Sequence, residues 1–198
     1  MNAQRLAQRI VPMMALLMAL LMALSVSLSM QAGERGKFIH VDATVNKNLK
    51  PQLAFSQEHK DGKDVTTLLV KTVSTSAYNE FTDASRVLVK FADGKAVRLN
   101  RTAAEVAKEK KYSDKKGNAT ITFFPTVSEY EVTPEVIAAL EAGMAIVKVR
   151  IVFKENEAKD YDIAEGYQAK MAGDLLKSYQ EASQKNQKAN GDLSDEDF

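Results

Sequence analysis

The chain has 198 residues, 45% of them hydrophobic, with 27 basic against 26 acidic side chains and neither Cys nor Trp. That length allows one domain of ordinary size, two at most. An even charge balance excludes a general polyanion binder, since counterion release needs clustered cations, so nucleic acid is not an expected partner. Without Cys there can be no disulfide, thiolate zinc site, iron–sulfur cluster, cysteine nucleophile or lipoprotein anchor built on that residue.

The first thirty residues look like an address. Arg5 and Arg9 are the only charges before Glu34, and residues 11–30 carry none. Within that run Met-Ala-Leu-Leu repeats with a period of four from Met14 to Leu24. A basic start, an apolar middle and a small-residue end describe a secretory signal. Ser27 and Ser29 suit the minus-three and minus-one places of a cleavage site; a cut after Ala32 would put Met30 at minus three, a poor fit. The competing reading is an uncleaved signal anchor, because twenty apolar residues are long enough to span a bilayer. Residues 1–32 are therefore expected to be a signal peptide or signal anchor, with cleavage preferred. Either way the rest is expected outside the cytoplasm, periplasmic or extracellular. A membrane is an expected partner only through residues 11–30, if the leader stays.

Residues 33–185 are expected to form a single domain. Residues 38–45 alternate, with Ile39, Val41, Ala43 and Val45 on one face and His40, Asp42 and Thr44 on the other, the pattern of a half-buried strand. A weaker strand follows at Gln52 to Glu58, then a turn at His59 to Lys63 with Gly62 supplying positive φ. Val65 to Val73 is the next strand. Ser74 to Asp83 is a connection, with Tyr78 and Phe81 as anchors to the core. Arg86 to Leu99 is the clearest feature: Val87, Val89 and Phe91 share a face, Asp93-Gly94 turns the chain, and Val97 and Leu99 return.

Thr102 and Glu105 fit a capping box, predicting a short helix through Ala103, Val106, Ala107 and Lys110. Lys108 to Lys111 and Ser113 to Gly117 look like a solvated, mobile excursion. Thr120 to Val132 is extended, and Pro125 within it predicts an edge strand or a bulge. Thr133-Pro134-Glu135 then opens a helix, with Thr133 as cap, Val136, Ile137 and Leu140 as buried stripe, and Gly143 at its end. A strand over Ala145 to Phe153 follows, with Val147, Val149, Ile151 and Phe153 inward and Lys148 and Arg150 outward. A short strand at Tyr161 to Ile163 is expected to pair with it across Glu155 to Lys159. Tyr167, Met171, Leu175, Tyr179 and Ala182 mark one face of a helix of about four turns. Residues 186–198, with Asp192, Asp195, Glu196 and Asp197, are expected to be a disordered acidic tail.

Candidate chemistry is sparse. His40 with Asp42, and His59 in the following turn, are the residue types of a zinc site, but nothing fixes their distance; two surface histidines are the preferred reading, and no metal is assigned. There is no Gly-x-Ser-x-Gly elbow, dinucleotide fingerprint or phosphate-binding loop, so no catalytic residue and no cofactor is assigned. Arg86, Lys90, Arg98, Lys148 and Arg150 could form a basic patch, although a solvated sheet face explains them more simply. Tyr78, Tyr112 and Tyr130 could be a sugar platform, although packing explains them as well. The stripe of Tyr167, Met171 and Tyr179 is read as core.

From Arg86 to Ile151 the order is an apolar strand, Asp-Gly, a returning strand, a variable insert, Tyr130-Glu-Val-Thr-Pro-Glu-Val-Ile-Ala-Ala-Leu140, Gly143, and Val147-Lys-Val-Arg-Ile151. This third of the chain resembles small uncharacterised secreted or periplasmic proteins of the Bacteroidota. The resemblance implies export and a sheet carrying helices, and it transfers no catalytic residue. Those proteins often carry a lipid-anchor Cys, which this chain lacks.

The expected fold is α+β, a largely antiparallel sheet of about six strands with a short helix and a C-terminal helix packed on it. The expected function is a non-enzymatic exported module that binds a protein or an envelope component. The alternative is an envelope enzyme acting on sugar or peptidoglycan, which would need two carboxylates within roughly ten ångströms in a cleft.

Overall fold

A computed structural model of the chain describes residues 33–41, 49–116 and 118–191. The leader, the strand positions Asp42, Ala43, Thr44 and Val45, and the last residues from Asp192 lie outside the described residues. The described residues fall in one compact unit beginning at Gly33. In chain order its elements are β1 Glu34–Arg35, β2 Ile39–His40, β3 Gln52–Lys60, β4 Lys63–Ser74, β5 Arg86–Phe91, β6 Ala96–Asn100, β7 Ala107–Lys108, β8 Tyr112–Lys116, β9 Ala119–Glu131, α1 Pro134–Glu141, β10 Ile146–Lys154, β11 Glu157–Asp162 and α2 Glu165–Gly191.

The class is α+β and every strand pairing is antiparallel. The strands form two sheets rather than one of about six. A seven-stranded sheet runs β1-β3-β4-β9-β7, with β2 beside β3 and β8 beside β9. A four-stranded sheet runs β11-β10-β5-β6. The apolar face of each closes one core. Leu53, Phe55, Leu68, Val70 and Tyr130 come from the larger sheet, and Val87, Val89, Phe91, Leu99, Val149, Ile151 and Phe153 from the smaller. Helix α2 lays Met171, Ala172, Leu175 and Ala182 on this core, and α1 adds Val136 and Leu140. Each buried side chain of this size contributes about 1.5–3 kcal/mol, which is how a cysteine-free unit can hold its shape.

Turn chemistry sets the hairpins. Asp61 (φ 52°) and Gly62 (φ 73°) are both left-handed, as a tight two-residue hairpin requires. At the second hairpin Gly94 has φ 89°, and the Lys95 N–H donates to Asp93 Oδ1 at 2.9 Å. Helix α1 ends in a Schellman motif: the Met144 N–H reaches Ala139 O at 2.9 Å and the Gly143 N–H reaches Leu140 O at 3.0 Å, with Gly143 at φ 70°.

Several expectations are corrected. No helix forms after Thr102. Arg101 bridges Tyr130, and its guanidinium donates to Thr82 O, Ala104 O and the Asp83 carboxylate. The Thr102 hydroxyl accepts the Ala104 N–H, a local turn that competes with a helical cap, and the chain continues into β7. The charged stretch after it is strand β8, paired with β9 from Tyr112–Phe123 onward. Strand β9 is not an edge; it is flanked by β4 on one side and by β7 and β8 on the other. The bulge is there instead: Lys108 pairs with Thr126 and Tyr112 with Phe123, so four steps on one strand answer three on the other beside Pro125.

Thr133 makes no side-chain cap bond to the helix backbone. On β10 a register shift between Ile146 and Lys148 buries Ile146 fully and leaves Val147 half-buried. Strand β11 starts at Glu157, earlier than expected. Helix α2 is 27 residues long and runs through Gly191. Its inward stripe is Met171, Leu175, Ser178, Ala182 and Asn186, with Tyr167 and Tyr179 half-buried beside it. Asn186 Nδ2 donates to Asp64 Oδ1 at 2.9 Å, which ties the last turns to β4 instead of releasing them as tail.

Candidate functional site

An apolar opening in the surface of the described residues lies between the β5–β6 hairpin and α1. It is a cleft of about 500 Å³ lined by Phe91, Ala96, Val97, Ala138, Ala139, Ala142 and Met144, with Asp93, Lys95 and Glu135 as its charged residues. Its origin is local. Helix α1 turns its large side chains, Val136 and Leu140, into the core. Beyond Glu135, the cleft side offers only the methyl groups of Ala138, Ala139 and Ala142, so the gap to the hairpin stays unfilled. The Ala92 N–H donates to Ala145 O at 2.9 Å and fixes the hairpin against the chain leaving the helix. Lys95 Nζ lies 3.8 Å from Asp93 Oδ2, so Glu135 is the acidic lining residue not opposed by that lysine.

A second, polar cavity of about 410 Å³ is lined by Leu49, Thr72, Val73, Ser74, Thr75, Asn79, Phe153, Lys159, Asp160, Tyr161 and Asp162. Asp160 and Asp162 lie two residues apart on β11, close enough for the paired-carboxylate test. Their chemistry points elsewhere. Arg150 makes a bidentate contact with Asp160, and this hydrogen-bonded pairing holds the Asp160 carboxyl below the usual range. Lys148 Nζ sits 2.9 Å from Asp162 Oδ1, and that bond pushes the ammonium up. A carboxyl held ionised in this way is a poor proton donor. Tyr161 is no base either, because burial pushes its phenol to about 12.

The residues singled out in the sequence are scattered. His40 sits at the β2 end of the sheet, with Nε2 3.4 Å from Gln52 Nε2. His59 is near the far end of β3, with Nδ1 2.9 Å from Asp64 Oδ1. Gln52, the neighbour of His40, stands seven steps along β3 from His59, about 23 Å, so the two histidines cannot share an ion. Among the described residues no three His, Asp or Glu side chains converge on a metal position.

The three tyrosines do not form a platform. Tyr130 is fully buried and accepts from the Ser128 hydroxyl at 3.1 Å; burial pushes its phenol to about 12. Tyr78 packs edge-on to Phe124, and Tyr112, 47% exposed, stacks on Phe123. Glu129, half-buried on the outer face of the larger sheet, is pushed up by burial and by the charge of Glu58. The five cations Arg86, Lys90, Arg98, Lys148 and Arg150 do share one surface, the outer face of the four-stranded sheet.

The cleft itself was not foreseen. Its helical side is built of alanines, and an alanine face on a short helix carries the same pattern as any solvated face. No helix of the described residues is long and apolar enough to cross a membrane. The chain matches no family model, no curated protein and no solved structure.

Proposed function

We propose that this chain is an exported, non-enzymatic binding module of the cell envelope, and that the cleft between the β5–β6 hairpin and α1 receives a segment of a partner protein. The observation that carries this reading is the apolar lining of that cleft, Phe91, Val97, Met144 and three alanines. A volume of this order takes one or two large apolar side chains. Asp93 and Glu135 outnumber Lys95 there, so the segment that fits carries a basic residue beside its apolar anchor. Export is supported by the leader composition and by the resemblance to small exported proteins of the Bacteroidota.

The second reading, an envelope enzyme acting on sugar or peptidoglycan, has one observation on its side: Asp160 and Asp162 share a polar cavity. Their ion pairs weigh against it.

Filling the cleft tests the first reading. A photo-crosslinking side chain at Ala142 is expected to trap one envelope protein reproducibly, and Ala138→Leu is expected to abolish the product without lowering the unfolding temperature. Crosslinking that survives the filled cleft, or cell-wall hydrolysis lost on Asp160→Asn, would reverse the ranking.

A further inference from the structure

The outer face of the four-stranded sheet carries a charge arrangement that the cleft does not use. Register places Leu88 directly across from Arg150 on β10 and from Arg98 on β6. Arg86 and Lys90 are its same-face neighbours along β5. All four nearest positions around this half-buried leucine are therefore cationic. Lys148 stands directly opposite Lys90, a like-charge pairing that weakens a sheet. Carboxylates reach only one side: Asp160 pairs with Arg150, and Asp162 with Lys148. Arg98 donates to neutral Asn100 Oδ1 at 3.0 Å and Arg86 to Ala84 O at 3.4 Å. Lys90 has no ion pair among the described residues. Five cations thus face two carboxylates, an excess of three positive charges. The opposite sides of these strands are locked inward by Val87, Val89 and Phe91, so the cations cannot be turned away.

We propose that this face docks on a surface of anionic phospholipid head groups. The layout is a cross and not a line. Arg98 and Arg150 are two strands apart, about 10 Å, and Arg86 and Lys90 four residues apart, about 13 Å. A single polyanionic chain would follow one arm; a plane of head groups meets both. Leu88 at the centre suits an interface that accepts an apolar contact under the cationic stems. The proposal is independent of the cleft and goes beyond it.

The test uses residues 33–198, a compact unit of its own, so that the apolar leader cannot bind lipid on its own account. Co-sedimentation is measured with phosphatidylcholine vesicles, pure or containing about one part in three phosphatidylglycerol. Binding is expected only to the anionic vesicles and is expected to weaken as salt is raised. Lys90→Glu with Arg98→Glu is expected to lower the partition coefficient by at least ~20-fold, since each basic residue near such a surface contributes about fivefold. Lys177→Glu, a cation on α2, is expected to change it less than about twofold. Should the double variant lose its circular dichroism, Arg98→Gln alone is expected to give about a fivefold loss. No binding to anionic vesicles, equal binding to both, an equal effect at Lys177, or binding to soluble polyphosphate alone would each overturn the proposal.

Discussion

Helix α2 sends Met171, Leu175 and Ala182 into the core with 1% or less of each exposed. Helix α1 buries only Val136 and Leu140 fully, packs Ile137 half-buried beside them, and lines an open cleft with Ala138, Ala139 and, just past its end, Ala142. The same secondary structure serves two ends. In α2 large side chains are removed from water, so the helix belongs to the stability of the unit. In α1 half the helix touches little, so that surface is free to be recognised. The largest expected effect follows directly. Leu175→Ala should cost about 2–5 kcal/mol in urea unfolding, the range for a buried leucine that leaves a cavity. Ala142→Leu should change stability by about 0.5 kcal/mol or less. A large loss at Ala142 would erase the contrast and make the cleft part of the core.

The contrast sharpens at the backbone. Phe55 donates its N–H to Ser178 Oγ at 3.1 Å, while the Gly36 N–H reaches Phe55 O at 2.9 Å. The serine fills the gap between β1 and β2 on the edge of β3, and it brings the helix very close to Gly36. A Cβ on Gly36 would stand 1.9 Å from Ser178 O, an overlap that only movement can relieve. Gly36→Ala is expected to cost about 1–3 kcal/mol, the range for an overpacked site. Unchanged unfolding would mean that the N-terminal segment shifts freely, and that α2 is held by its apolar stripe alone.

What the sequence made legible was whatever has a long period or a demanding turn. The alternation from Arg86 to Phe91, the Asp-Gly turn and the return to Leu99 became β5 and β6 with little change. Gly143 ended α1 where a left-handed residue was needed. Two-residue strands such as β1, β2 and β7 leave no periodicity to find. Strand β8, Tyr-Ser-Asp-Lys-Lys, looks solvated because its described side chains are exposed; backbone pairing with β9 makes it a strand. The end of α2 was misplaced because Asn186 breaks the apolar stripe while still occupying a buried position. The cleft was hidden for another reason: it is a gap between Val97 and Ala138, distant in sequence, and no residue type marks an absence of side chain. The basic face was composed of recognised residues, yet only the register shows that four of them surround Leu88.

The two helix ends separate by pH, the smallest effect expected and the most specific. Gly143 and Met144 close α1 through backbone bonds that carry no titratable group. The end of α2 leans on Asp64, whose Oδ1 accepts from Asn186 and contacts His59 Nδ1, each at 2.9 Å. The hydrogen bond with His59, then that from Asn186, holds the Asp64 carboxyl below its ordinary value of 3.8. A depressed carboxylate stabilises the folded form above that ordinary value, and the contribution is lost as pH falls through the lower folded one. Amide protection at residues 187–190, corrected for intrinsic exchange, should therefore drop between about pH 5 and pH 2. Protection at Gly143 and Met144 should hold over the same range. Asp64→Asn should give the weakened α2 end at neutral pH and remove its pH dependence. If both helix ends loosen together, global acid unfolding is the cause and Asp64 is no latch.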